Sequence, residues 1–235
     1  MPSADQPATK AKFIQIWDAP VRLFHWLLVA LLAFSWWSGE QHDMDWHRRS
    51  GYAILTLLIF RVYWGFAGGR TARFAQFVRG PQAMLGYVRS LGARRLGRGR
   101  YVAKPGHNPV GGWSVILLLA TLMTMVVAGL FAVDIDGLES GPLADYVTFD
   151  QGRLAAKIHG WVFNLILTLT AAHVAAILLY LVLLRHNLIS PMLSGRRRAL
   201  PGEAVQGLNA SLWKAALGIA IAGVVTYAVA RGFRF

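Results

Sequence analysis

Five runs of apolar residues, at 21–38, 51–67, 113–133, 158–184 and 212–230, decide what this chain can fold into. Each approaches or exceeds the ~18–20 residues that carry a helix across a ~30 Å hydrocarbon core. A water-soluble domain would show amphipathic periods instead. Here 55% of the 235 residues are hydrophobic and only 15% are charged. A transmembrane β-barrel needs many short alternating segments, and the sequence has none. The expected fold is an all-α membrane protein: a four-helix transmembrane bundle with a fifth, C-terminal transmembrane helix. The second run is short, and "WHRRSGY" extends it upstream.

Cysteine is absent, which removes thioether-attached haem, thiolate-held iron–sulfur clusters and disulfides. The polar stretch 1–13 is followed by no small-residue cleavage site, so no removable signal peptide is expected. A formal net charge of +13 would point a soluble protein toward nucleic acid. In a membrane protein the distribution decides, and no nucleic-acid partner is expected. Between the second and third runs lie nine Arg and Lys residues and no acid. After the fourth come Arg185, Arg196, Arg197 and Arg198, opposed by Glu203. Eight of the eleven acidic residues fall in the other two connections, from Glu40 to Asp45 and from Asp134 to Asp150. The excess of Lys and Arg on one side places the N-terminus and the basic loops in the cytoplasm. The acidic loops and the C-terminus then face the periplasm, across a bacterial inner membrane. Arg48, Arg49, Arg153 and Lys157 fall on the acidic side and run against the rule.

The expected organisation is a cytoplasmic tail at 1–15, a transmembrane domain at 16–190, a cytoplasmic linker at 191–210, and the fifth helix with its tail at 211–235. Within the domain, the basic loop 70–106 spaces Phe74, Phe77, Met84, Leu85, Val88 and Leu91 at helical intervals with Arg between them. That pattern fits a helix lying in the lipid headgroup region.

Two imidazoles in one membrane helix need an explanation. His159 and His173 are fourteen residues apart, which is ~21 Å of rise and a return to within about 40° of the same face. Two other histidines match their depths. His25 lies near the cytoplasmic start of the first run, level with His173. His47 lies at the outer start of the second, level with His159. Each pair can ligate one iron from opposite sides, and bis-imidazole haem favours electron transfer over gas binding. So two haem b groups are expected, with His25 and His173 on the inner iron and His47 and His159 on the outer. Hydrogen-bonding histidines between helices are the plainer alternative. A zinc or copper site is disfavoured, because no Cys, Met or carboxylate clusters with either pair. A proton relay would want Asp or Glu inside the runs.

Other residues fit the same picture. Gly51 and Gly129 would let a flat macrocycle approach the backbone, or else let helices pack closely. Arg61 lies fourteen residues beyond His47 and needs a counter-charge, which an inner haem propionate would supply. Arg22 and Lys157 are analogous candidates for inner and outer propionates. All three have snorkelling to the headgroups as the alternative. His107 in "GHNPVGGW" is a candidate contact for a quinone or a propionate, or a surface cap.

The stretches "WDAPVRLFHW", "WHRRSGYAIL", "FRVYWGF" and "GHNPVGGW", with His159 and His173, resemble the bacterial cytochrome b561 and nickel–iron hydrogenase b-type cytochrome family over about residues 16 to 185. The resemblance implies four core helices carrying two b haems, with His25, His47, His159 and His173 at the ligand positions. It further implies electron transfer between a periplasmic partner (a cytochrome c, a hydrogenase or a dehydrogenase) and membrane quinone. Some members oxidise superoxide and reduce quinone. The fifth run and the "RGFRF" tail depart from the family pattern, which leaves the partner open. A haem-free membrane anchor is the alternative of a different class.

Overall fold

The computed structural model describes residues 13–95, 108–199 and 211–234. Five helices are long and apolar enough to cross a membrane: α1 (Ala19–Glu40), α2 (Met44–Ala67), α5 (Pro109–Phe131), α6 (Phe149–Val182) and α8 (Leu212–Ala230). They coincide with the five apolar runs. Between them lie short elements: β1 (Phe13–Gln15), α3 (Phe74–Phe77), α4 (Pro81–Arg95), α7 (Ile189–Ser194) and β2 (Arg196–Arg198).

The helix starts are set by local chemistry. The Asp18 carboxylate accepts the Val21 N–H at 2.9 Å and Pro20 occupies the first turn of α1. Asn108 and Pro109 repeat the device at α5, with Gly111 N–H donating to Asn108 Oδ1 at 2.7 Å. Side-chain acceptors satisfy N–H groups that have no partner inside the helix, and proline there has no N–H to lose. Thr148 and Gln151 form a reciprocal capping box at α6. At 34 residues α6 runs ~51 Å, well beyond the hydrocarbon thickness.

Helix α1 packs on α2, α5 packs on α6, and α2 joins the two pairs through α5. Phe24, Leu28, Ile54, Leu58, Leu122, Met125 and Ile166 form the shared core. Most of α6 faces outward, where lipid is its natural solvent. The fifth helix covers the free side of α2. A Cβ on Gly218 would stand 2.4 Å from the Tyr63 ring, so glycine is what admits that ring. The hydroxyl of Thr56 bonds that of Thr226 at 2.9 Å across the same contact. At the far end the tail is tied down as well. Tyr146 donates to the Gly232 carbonyl at 2.8 Å, and Arg234 pairs with Asp145 at 2.5 Å.

Two features have no periodic signal in the sequence. Residues 189–198, expected mostly as linker, carry α7 and β2. Strand β2 pairs antiparallel with β1, Phe13 opposite Arg198 and Gln15 opposite Arg196. Backbone hydrogen bonds hold this ribbon, and three consecutive arginines carry no alternation to announce it. The helical spacing over 74–91 is broken into α3 and α4 at Gly80–Pro81, because proline starts a helix far more readily than it continues one.

Candidate cofactor site

His47, in the first turns of α2, and His159, in the third turn of α6, meet across the bundle. Their ring centres are 6.0 Å apart and the planes are inclined at 77°. Two metal–imidazole bonds of ~2 Å plus two ring radii require centres ~6 Å apart for imidazoles on opposite sides of one ion. The observed spacing meets that requirement. Each ring is oriented from behind. His47 Nδ1 lies 2.8 Å from the Ser35 carbonyl oxygen, and His159 Nδ1 lies 2.8 Å from that of Met125. A carbonyl only accepts, so both Nδ1 atoms carry the proton and both Nε2 atoms keep a lone pair. This tautomer leaves Nε2 free to hold a metal, and metal-binding imidazoles commonly donate their other N–H to a carbonyl in this way.

Glycines make room for these rings. A Cβ on Gly39 would lie 3.1 Å from His47 Nδ1, and one on Gly129 would lie 3.0 Å from His159 Nδ1. Gly129 therefore seats the imidazole. At Gly51 an added Cβ would meet nothing within 4 Å. Sequence reasoning missed Gly39, Ser35 and Met125, because a backbone acceptor has no side-chain signature.

The other pair is built differently. His25 and His173 are both half-buried and lie within electrostatic reach of one another. The Trp26 indole packs edge-on against His25, ring centres 4.8 Å apart. His25 Nδ1 is buried without a hydrogen-bond partner among the described residues. Burying such a nitrogen unpaired is costly.

The candidate propionate contacts are placed as follows. Arg61 is 3% exposed; its guanidinium sits over the Phe74 ring at 5.1 Å, with Nη1 3.4 Å from the Ala72 carbonyl. Asp18, 1% exposed, is its acidic neighbour and also accepts from the Trp64 indole N–H at 3.1 Å. Asp18 was legible only as an Asp before a proline-led helix, and sequence reasoning passed over it. Arg22 donates to the Leu193 carbonyl at 2.6 Å. Lys157 is exposed on α6. His107 lies outside the described residues.

The family model for prokaryotic cytochrome b561 matches residues 16–195. The chain belongs to that family. No curated protein matches. No solved structure matches either. As a prokaryotic cytochrome b561 the chain is a multi-pass membrane b-type cytochrome that binds haem b and transfers electrons. The match takes in α1 to α7 and ends one residue before β2; α8 lies beyond it. The imidazoles fit the cofactor the family implies: the spacing and tautomers of His47 and His159 would let both hold one iron.

Proposed function

We propose that this cytochrome b561 holds one haem b between His47 and His159 and a second between His25 and His173, and carries electrons between a periplasmic redox protein and membrane quinone. The observation that carries the reading is the His47–His159 pair, 6.0 Å apart with both Nδ1 protons committed to backbone carbonyls. When bound, haem supplies a reversible one-electron iron couple. The protein's part would be to hold each iron with two imidazoles, fix the tautomers of His47 and His159, and keep the space between the helices apolar. Arg61, Arg22 and Lys157 are the candidate propionate contacts, and His107 is a candidate contact for quinone or a propionate. The excess of basic residues in the 70–106 and 185–198 segments puts the N-terminus on the cytoplasmic side of a bacterial inner membrane. His47 and His159 are then the periplasmic pair.

Charge on that periplasmic face favours a partner with a basic docking surface, whether a cytochrome c, a hydrogenase or a dehydrogenase subunit. Some of its carboxylates are engaged: Arg48 pairs with Asp45 and Glu139, and Arg234 with Asp145. Asp136 and Asp150 are exposed and make no ion pair among the described residues. Superoxide oxidation would want available cations outside, and two of the four near the starts of α2 and α6 are engaged, while Arg49 and Lys157 stay exposed with no ion pair among the described residues. Arg48 is held by two acids, and Arg153 donates to the Val133 carbonyl at 2.7 Å.

Electron transfer from a basic reduced cytochrome c to a short-chain quinone, in proteoliposomes, tests this. The double variant Asp136→Asn, Asp150→Asn is expected to slow the reaction severalfold at low ionic strength and to match the parent near physiological salt. Exposed charges are screened beyond ~8 Å there, and steering acts on encounter. A rate indifferent to salt and to both substitutions contradicts docking by charge. A rate that rises on neutralisation points to an anionic substrate, superoxide included.

A further inference from the structure

The two imidazole pairs differ in one respect. His47 and His159 are each received by the same local device. On α1 it is the Ser35 carbonyl with Gly39 four residues on; on α5 it is the Met125 carbonyl with Gly129 four residues on. In a helix the residue at i+4 already donates its N–H to the carbonyl at i, and its Cβ lies beside that oxygen. Glycine at i+4 leaves the oxygen open to a second donor from the side. In both cases a histidine on the partner helix takes that place with its Nδ1–H, at 2.8 Å; the Ser35 carbonyl also accepts from the Ser38 hydroxyl at 3.1 Å. Neither His25 nor His173 has a hydrogen-bond partner among the described residues, and His25 Nδ1 is buried.

We propose that Gly39 and Gly129 are positioning residues that open the Ser35 and Met125 carbonyls to His47 and His159, and that these bonds set the potential of the His47–His159 haem below that of the His25–His173 haem. The inference rests on the di-haem reading. An imidazole that donates its distal N–H to a good acceptor is a more basic ligand. A more basic axial ligand stabilises the ferric over the ferrous iron, and hydrogen bonding to the ligand is one of the protein's levers on potential. Both axial ligands of one haem gain this effect and neither ligand of the other does. Electrons entering at the His47–His159 end then run downhill to the His25–His173 end, which under the proposed orientation is from periplasm toward cytoplasm.

The test is a redox titration of the purified full chain, read in the visible α band, with haem counted in every sample. Gly39→Ala and Gly129→Ala each put a methyl 3.0–3.1 Å from an Nδ1, so the ring must shift by a few tenths of an ångström and its bond must stretch. Gly223→Ala is the control, since a Cβ there meets nothing within 4 Å. The lower-potential component should rise in both ligand-side variants and stay fixed in the control. The expected change in electron partition between the haems is about tenfold, which is ~59 mV for a one-electron couple. Loss of one haem from Gly39→Ala or Gly129→Ala, but not from Gly223→Ala, also supports the positioning role. The order of potentials is then read from His159→Ala, where the surviving component should be the higher of the parent's two. Two haems with potentials indifferent to both glycine variants overturn the proposal, as does a surviving lower component in His159→Ala. A parent with fewer than two haems refutes the di-haem reading itself.

Discussion

Replacing His159 with alanine is expected to remove one haem and leave the other, and His173→Ala is expected to do the converse. His159 faces His47 at 6.0 Å and is the only histidine of α6 at that depth. Without it, the iron there keeps one imidazole of two. His173 lies ~21 Å from His159 along α6, His25 is within electrostatic reach of His173, and neither bonds Ser35 or Met125, so their site should survive. Haem per chain should fall by half in each variant, and transfer between partner and quinone should be abolished in both, because each removes one station of the path. The two variants should lose different components of the redox titration. If either keeps both components at parental amplitude, the ligand assignment is wrong.

Asp18→Ala is expected to be the most destabilising change outside the histidines. Asp18 performs three tasks from a fully buried position. It caps α1 through the Val21 N–H, accepts from the Trp64 indole N–H, and is the acidic neighbour of the buried Arg61. A lost cap costs ~1 kcal/mol. An unpaired buried indole N–H costs ~1–3 kcal/mol, and depriving a buried guanidinium of its acid adds to both. The terms share one side chain and do not simply add, so the expected loss is roughly 3 kcal/mol. Unfolding in mild detergent measures it. Asp18→Asn keeps one of the two acceptor oxygens, enough for the cap or for the indole in their present places, so it should lose less than Asp18→Ala. Parental stability in Asp18→Ala would contradict this account of the junction.

The same residue marks the limit of what could be read before the structure was at hand. The five spans were legible because a bilayer demands length and apolarity, and both are properties of sequence. The depth-matched histidines were legible because α6 is one uninterrupted helix and fourteen residues fix a distance and a direction. Their orientation was not, since the Ser35 and Met125 carbonyls that hold His47 and His159 exist in every residue alike. Gly129 stood out as a glycine in a span, but its contact with an imidazole appears only when α5 meets α6. Gly39, just before the α1–α2 turn, drew no notice. Asp18 was hidden because its partners, Trp64 and Arg61, lie more than forty residues away in α2. The β1–β2 ribbon was hidden because its hydrogen bonds are backbone bonds between arginines and a short strand at the other end of the domain.

The central claim is that the four histidines hold two haems, and haem per chain measures it most directly. A pyridine haemochromogen assay on the purified protein, set against protein concentration from amino-acid analysis, should give two b-type haems per chain. The reduced-minus-oxidised spectrum should show low-spin α bands, with no change on adding carbon monoxide because both axial positions are closed by imidazole. One haem per chain, or a carbon monoxide adduct in the freshly reduced protein, would contradict the account.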